Sequence, residues 1–159
     1  MLENTELNLI KYSDLSAKQK EIYNYHKLSS ILADYGFCCM KLDNDWNGAD
    51  FLAIHKDITL KVQLKARLTI AKKYIGKDLY IAFPIKDNNI TKWCLIYHDK
   101  LLSIIKENSP SKLECESWNK EDGVRHTTTI TSNLKQLLQK YIIGNIEYKQ
   151  NLNPLIIEK

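Results

Sequence analysis

Apolar residues between Ser13 and Tyr35 recur at helical spacing, with Tyr25, Leu28, Leu32 and Tyr35 along one stripe. Ser13 or Ser16 stands where a helix N-cap belongs, and Gly36 follows as a stop. Beyond Gly36 the period shortens. FCCMKL (37–42) predicts a strand and DNDWNG (43–48) a loop. ADFLAIH (49–55) and TLKVQLKAR (59–67) predict two strands around a tight turn at Lys56-Asp57. The segment 68–77 fits either a short helix or a loop. Strands are expected at 79–85 and 92–98, around a turn at Asp87-Asn88-Asn89. Asp99 is placed to cap a helix from Lys100 to Glu107. ECESW and VRHTTTI flank the turn NKEDG (119–123) and suggest a hairpin within 113–130. Thr131 or Ser132 then caps a last helix to Ile142, and the tail 145–159 is weakly specified. The order of elements predicts an α/β fold, with α+β as the alternative: a mixed sheet flanked by helices, then a C-terminal hairpin and helix.

Composition narrows the class. The 159 residues are 44% hydrophobic and 26% charged, which suits one globular domain and not a disordered chain. No apolar run is long enough for a membrane span, and the acidic start MLENTELNLIKYSD does not read as a signal peptide. A cytoplasmic protein is therefore expected. Cys38, Cys39, Cys94 and Cys115 form no CxxC pair and are expected to be reduced core or boundary residues.

The net charge of +4 is uninformative until it is divided along the chain. Residues 1–60 carry −3, residues 61–100 carry +6 and residues 101–159 carry +1. Lys61, Lys65, Arg67, Lys72, Lys73 and Lys77 fall in one stretch without an acid, with Tyr74 interleaved. Arg67, Lys72, Lys73 and Lys77 are candidate phosphate contacts for a polyanionic partner. The alternative is a solvated face that balances the acidic first third.

Candidate chemistry lies where the acidic and basic thirds meet. Strand 59–67 alternates Leu60, Val62, Leu64 and Ala66 against Lys61, Gln63, Lys65 and Arg67. Asp50 opens the preceding strand, so a hairpin brings it beside the polar face. One carboxylate, one amide and one ammonium then converge. Helical spacing puts Glu21 in the apolar stripe of the first helix, where a carboxylate needs a cation or a lysine. Asp43 and Asp45 flank the same side, although DNDWNG is ordinary turn chemistry. Trp46 is positioned either to stack on a base or to cap the sheet. His98-Asp99 reads as a structural cap, and His26 as exposed.

Asp50…Gln63-Leu64-Lys65, with Glu21 upstream, resembles the PD-(D/E)XK nuclease superfamily in a variant whose acidic motif residue is Gln. The stretch DNDWNGADFLAIHKDITLKVQLKAR is similar to small bacterial proteins of that type. The resemblance covers 13–107 as a nuclease-like core, and leaves 108–159 as an extension of the same single domain. It implies a restriction-endonuclease-like fold and a Mg²⁺- or Mn²⁺-dependent endonuclease hydrolysing phosphodiester bonds in DNA. Asp50 would bind the metal directly, and Gln63 would offer an amide oxygen. Lys65 would lie near the attacking water and the scissile phosphate, and Glu21 would ligate through water or at a second metal. Lys61, Arg67, Lys72, Lys73, Tyr74 and Lys77 would bind nucleic acid. The chain departs from the family pattern in the neutral Gln63 and in the short segment 68–77, where the family has a helix. Two other readings stand beside this one. The first is a catalytically inactive nucleic-acid-binding module on the same fold. The second is a protein-interaction module, for example a homodimer formed through 113–130 or through Leu155-Ile156-Ile157.

Overall fold

The computed structural model describes residues 7–87, 90–127, 129–144 and 154–159. It opens with helix α1 (Ala17–Asp34), whose N-cap Ser16 accepts from the Gln19 N–H while the Gln19 side chain accepts from the Ser16 N–H. This reciprocal capping box satisfies two otherwise unpaired donors and sets where the helix begins. Strands β1 (Cys38–Trp46), β2 (Ala49–His55) and β3 (Ile58–Leu64) follow as an antiparallel meander. Next come β4 (Leu68–Ala71), a 3₁₀ turn (Lys72–Tyr74), β5 (Tyr80–Asp87) and β6 (Ile90–Tyr97). Helices α2 (His98–Asn108) and α3 (Glu116–Asn119), strand β7 (Val124–Thr127), helix α4 (Ser132–Leu138) and strand β8 (Ile142–Ile143) complete the chain. The architecture is mixed α/β.

Among the described residues the main sheet has six strands in the order β1-β2-β3-β5-β6-β8, and β4 and β7 form a separate two-stranded sheet. Of these pairs only β3 with β5 is parallel. Parallel neighbours require a crossover, here formed by β4 and the 3₁₀ turn. Alternation along the strands splits the interior into two cores. Phe51, Val62, Tyr80, Ala82, Trp93 and Leu95 pack with Leu28 and Leu32 of α1. Ile81, Phe83, Cys94 and Ile96 face the other way, onto α2, α4, β4 and Tyr74. Among the described residues no helix is long and apolar enough to cross a membrane.

Several sequence expectations need correction. Strand β1 continues through the expected loop to Trp46, and only Asn47 and Gly48 turn. Both have positive φ (54° and 91°), as a tight hairpin of this hand requires. The ambiguous segment 68–77 becomes a buried strand and a 3₁₀ turn because Leu68, Ile70 and Tyr74 all enter the core. The C-terminal hairpin does not form. Residues 116–119 are helical, and β7 pairs antiparallel with β4, Thr69 standing opposite His126. Asp99 is not the N-cap of α2 but sits in its first turn. Its carboxylate meets His98 Nδ1 and accepts from the Gly76 N–H. Asn88 and Asn89 of the expected turn, and 145–153 of the tail, lie outside the described residues. Leu155 and Ile156, considered above as an interaction surface, pack against the protein's own two cores.

Candidate active site

Two hairpins bring Asp50 to Gln63 and Lys65. The Lys56-Asp57 turn sets the β2–β3 register, with Phe51 opposite Val62, so Asp50 arrives at the C-terminal end of β3. There Asp50 Oδ2 accepts from Gln63 Nε2 at 2.5 Å and from the Leu64 N–H at 2.8 Å. The Lys65 N–H donates to the Ala82 carbonyl at 2.8 Å, which extends the parallel pairing and fixes the strand end. The polar face of β3 is dry at Gln63, although it opens to solvent toward Thr59. Gln63 is 5% exposed, and its Oε1 is buried with no hydrogen-bond partner. A buried carbonyl oxygen without a donor costs on the order of 1–3 kcal/mol.

Charge at the corner is tuned by burial. Desolvation pushes the Asp50 carboxyl above its ordinary range, and the Asp45 carboxylate adds to this, while Leu64 N–H, Lys65 and Gln63 pull it down. Burial lowers the Lys65 ammonium, with Asp50 and Asp45 opposing. Lys65 Nζ lies over the Tyr74 ring, 5.5 Å from its centroid, and Lys73 Nζ lies 5.0 Å from the same centroid. Two cations on one aromatic ring are held by its π density. Asp45 accepts from the Gly48 N–H at 2.6 Å, closing the turn before Asp50. This is the turn role its spacing predicts, and the fold adds a second one, since the Asp45 charge also reaches Asp50 and Lys65.

Tyr74 is corrected. It is 3% exposed, with its ring against Gly48 and edge-on to His98, so it has no open face for a base. It acts instead as the platform under Lys65 and Lys73. Trp46 is 56% exposed at the end of β1, paired with Ala49 across the hairpin.

Glu21 is also corrected. The helical stripe predicts a buried carboxylate, but the side chain is 52% exposed and paired with Lys18 at 3.1 Å and Lys41 at 3.5 Å. The Lys18 hydrogen bond holds its carboxyl below the usual range. The first buried residue of α1 is Asn24, so the helix start projects past the core. No contact joins Glu21 to Asp50 among the described residues.

The basic stretch divides. Arg67, Lys73 and Lys77 are exposed. Lys61 approaches Asp78 at 3.8 Å, and Lys72 donates to the Lys120 carbonyl at 2.8 Å while resting on Trp118. All four cysteines are free thiols, with Cys38 exposed and Cys94 buried. Burial pushes Cys39 up to about 11.

A divalent cation fits the corner on two observations. The partnerless Gln63 Oε1 is a hard oxygen donor, and the mutual repulsion of Asp45 and Asp50 is of the sign a cation relieves. Among the described residues no three His, Cys, Asp or Glu side chains form a cage, so such an ion would rest on Asp50, Gln63 and water.

No family model matches the chain, and no curated protein matches it. Among solved structures, the Holliday junction resolvase Hjc of the archaeal hyperthermophile Archaeoglobus fulgidus is similar over 48% of this chain and 76% of its own, at 12% identity and a TM-score of 0.35. No residue role is carried across from that protein.

Proposed function

We propose that this protein is a divalent-metal-dependent nuclease acting on DNA, with Asp50, Gln63 and Lys65 as its reactive corner. The observation that supports it best is the buried, partnerless Gln63 Oε1 beside a desolvated Asp50 and a desolvated Lys65. Asp50 and Gln63 Oε1 would hold Mg²⁺ or Mn²⁺, which when bound polarises a phosphate and acidifies water. Lys65 supplies a cation to charge developing on a phosphate oxygen. Tyr74 keeps that ammonium in place from below. Trp46 offers a stacking face, and Arg67, Lys73 and Lys77 offer exposed cations for backbone phosphates.

A cleavage screen tests this reading. Wild-type protein with Mg²⁺ or Mn²⁺ should cut plasmid, single-stranded or branched DNA, and Asp50→Ala should not. Equal behaviour of the two proteins on all substrates would overturn it. One observation favours a binding module without cleavage. Asp50 Oδ2 is already satisfied by two internal donors, and the neutral Gln63 leaves Asp50 as the motif's single carboxylate. That reading expects salt-dependent DNA binding with no metal-dependent product.

A further inference from the structure

The pairing of β7 with β4 delivers residues from the C-terminal extension to the edge of the reactive corner. Thr69 stands opposite His126 in this sheet, and Thr69 Oγ1 lies 2.9 Å from His126 Nδ1. The same hydroxyl donates its hydrogen to the Arg67 carbonyl at 3.0 Å. A hydroxyl has one hydrogen, so toward the imidazole Oγ1 can only accept. The His126 proton therefore sits on Nδ1, and Nε2 carries the lone pair. Thr69 is 2% exposed and His126 is exposed, so the ring is anchored on its inner side and open at Nε2. Among the described residues Nε2 has no hydrogen-bond partner.

The charged groups that bear on His126 are Arg67 and Lys65 from the β3–β4 connection and Arg125 from its own strand. Burial first, and then these cations, lower its affinity for a proton. Helix α3, packed against β7, adds one charge, the exposed Glu116. Arg125, adjacent in the strand, points to the opposite face, so Arg67 and Lys65 are the cations on the side of the open imidazole, and an anion would be their complement. An anion would offset the repulsion and let Nε2 take a proton from solvent, turning it from acceptor to donor.

We propose that His126, Arg67 and Lys65 form a phosphate subsite on the β4–β7 sheet, in which His126 Nε2 donates to a backbone phosphate of the nucleic acid held at Asp50. It rests on the nucleic-acid reading above. Binding at this subsite takes up one proton.

The test is made on the full chain in EDTA, so that binding is read without cleavage. The imidazole signals of His126 are followed by NMR as the pH is varied, alone, with inorganic phosphate and with a short DNA duplex. DNA affinity is measured at pH 5.5 and pH 7.5 for wild type and His126→Ala. The duplex should move the His126 titration upward, and inorganic phosphate should do so to a smaller extent. Wild type should bind DNA more tightly at the lower pH, and His126→Ala should lose that gain, about tenfold for one charge-assisted hydrogen bond. Thr69→Val, which keeps the shape but removes the hydroxyl, should lower the gain without abolishing binding. A His126 titration unmoved by both probes, or an unchanged pH gain in His126→Ala, would overturn the subsite. Binding behaviour as expected without metal-dependent cleavage would remove the nuclease reading and leave the subsite standing. Cleavage with an unresponsive His126 would do the reverse.

Discussion

The two carboxylates that the sequence singles out, Asp50 and Glu21, end in opposite surroundings. Asp50 lies where β2 meets the end of β3, partly desolvated, beside a buried oxygen that has no donor. Glu21 lies on the projecting start of α1, in solvent, already neutralised by Lys18 and Lys41. A carboxylate in water with two ammonium partners has little reason to take a metal. One held in a half-buried corner with a second carboxylate near it carries its charge at a cost. Burial, not residue type or spacing, separates the two carboxylates.

The comparison breaks most visibly in activity. Asp50→Asn is expected to lower metal-dependent cleavage by roughly 10²–10³-fold, the scale for loss of one preorganised electrostatic group, while Glu21→Gln should stay within about threefold of wild type. Gel assays of the purified proteins decide this, and equal losses would erase the distinction. The next effect is on folding. A Cβ at Gly48 would meet the Tyr74 ring at 3.0 Å on a backbone with φ of +91°. Gly48→Ala should therefore cost on the order of 1–3 kcal/mol in urea unfolding. Ser30→Ala, on the exposed side of α1, should change stability by less than about 0.5 kcal/mol.

The two groups should also tilt stability in opposite directions with pH. Burial raises the Asp50 carboxyl above its ordinary value of 3.8, so its contribution is fullest below that pH and is lost as the pH rises through the folded value. The Lys18 hydrogen bond lowers Glu21 below its ordinary 4.5, so its contribution is present above that pH and is lost as the pH falls through the folded value. Measured by thermal melts, the stability of wild type relative to Asp50→Asn should fall as the pH rises through the carboxylate range. Relative to Glu21→Gln it should rise. The smallest effect is the Lys41–Glu21 pair itself. A double-mutant cycle should return about 0.2–1 kcal/mol, as for exposed ion pairs generally.

Much of the corner was legible because it is built from neighbours in sequence. The alternation along 59–65 places Gln63 and Lys65 on one face, and the Lys56-Asp57 turn brings Asp50 opposite. Helix α1 was legible for the same reason, since Ser16 and Gln19 complete each other's hydrogen bonds within one turn. The hairpin expected across NKEDG failed because turn residues permit a reversal without choosing the partner. The edge of β4 competed for Val124–Thr127 and won. Tyr74 was misread for a related reason, since a tyrosine among lysines has the same local pattern on a surface loop as under one.

The sequence by itself determined the capped first helix, the three-stranded meander and the meeting of Asp50, Gln63 and Lys65, because hydrogen bonds and side-chain alternation over a few residues are enough to specify them. Tertiary structure decided which carboxylate is desolvated, which cations remain open, and that His126 meets Thr69 across β4 and β7. Those outcomes depend on where the core ends and on pairing between residues 57 positions apart, and no local period carries that information.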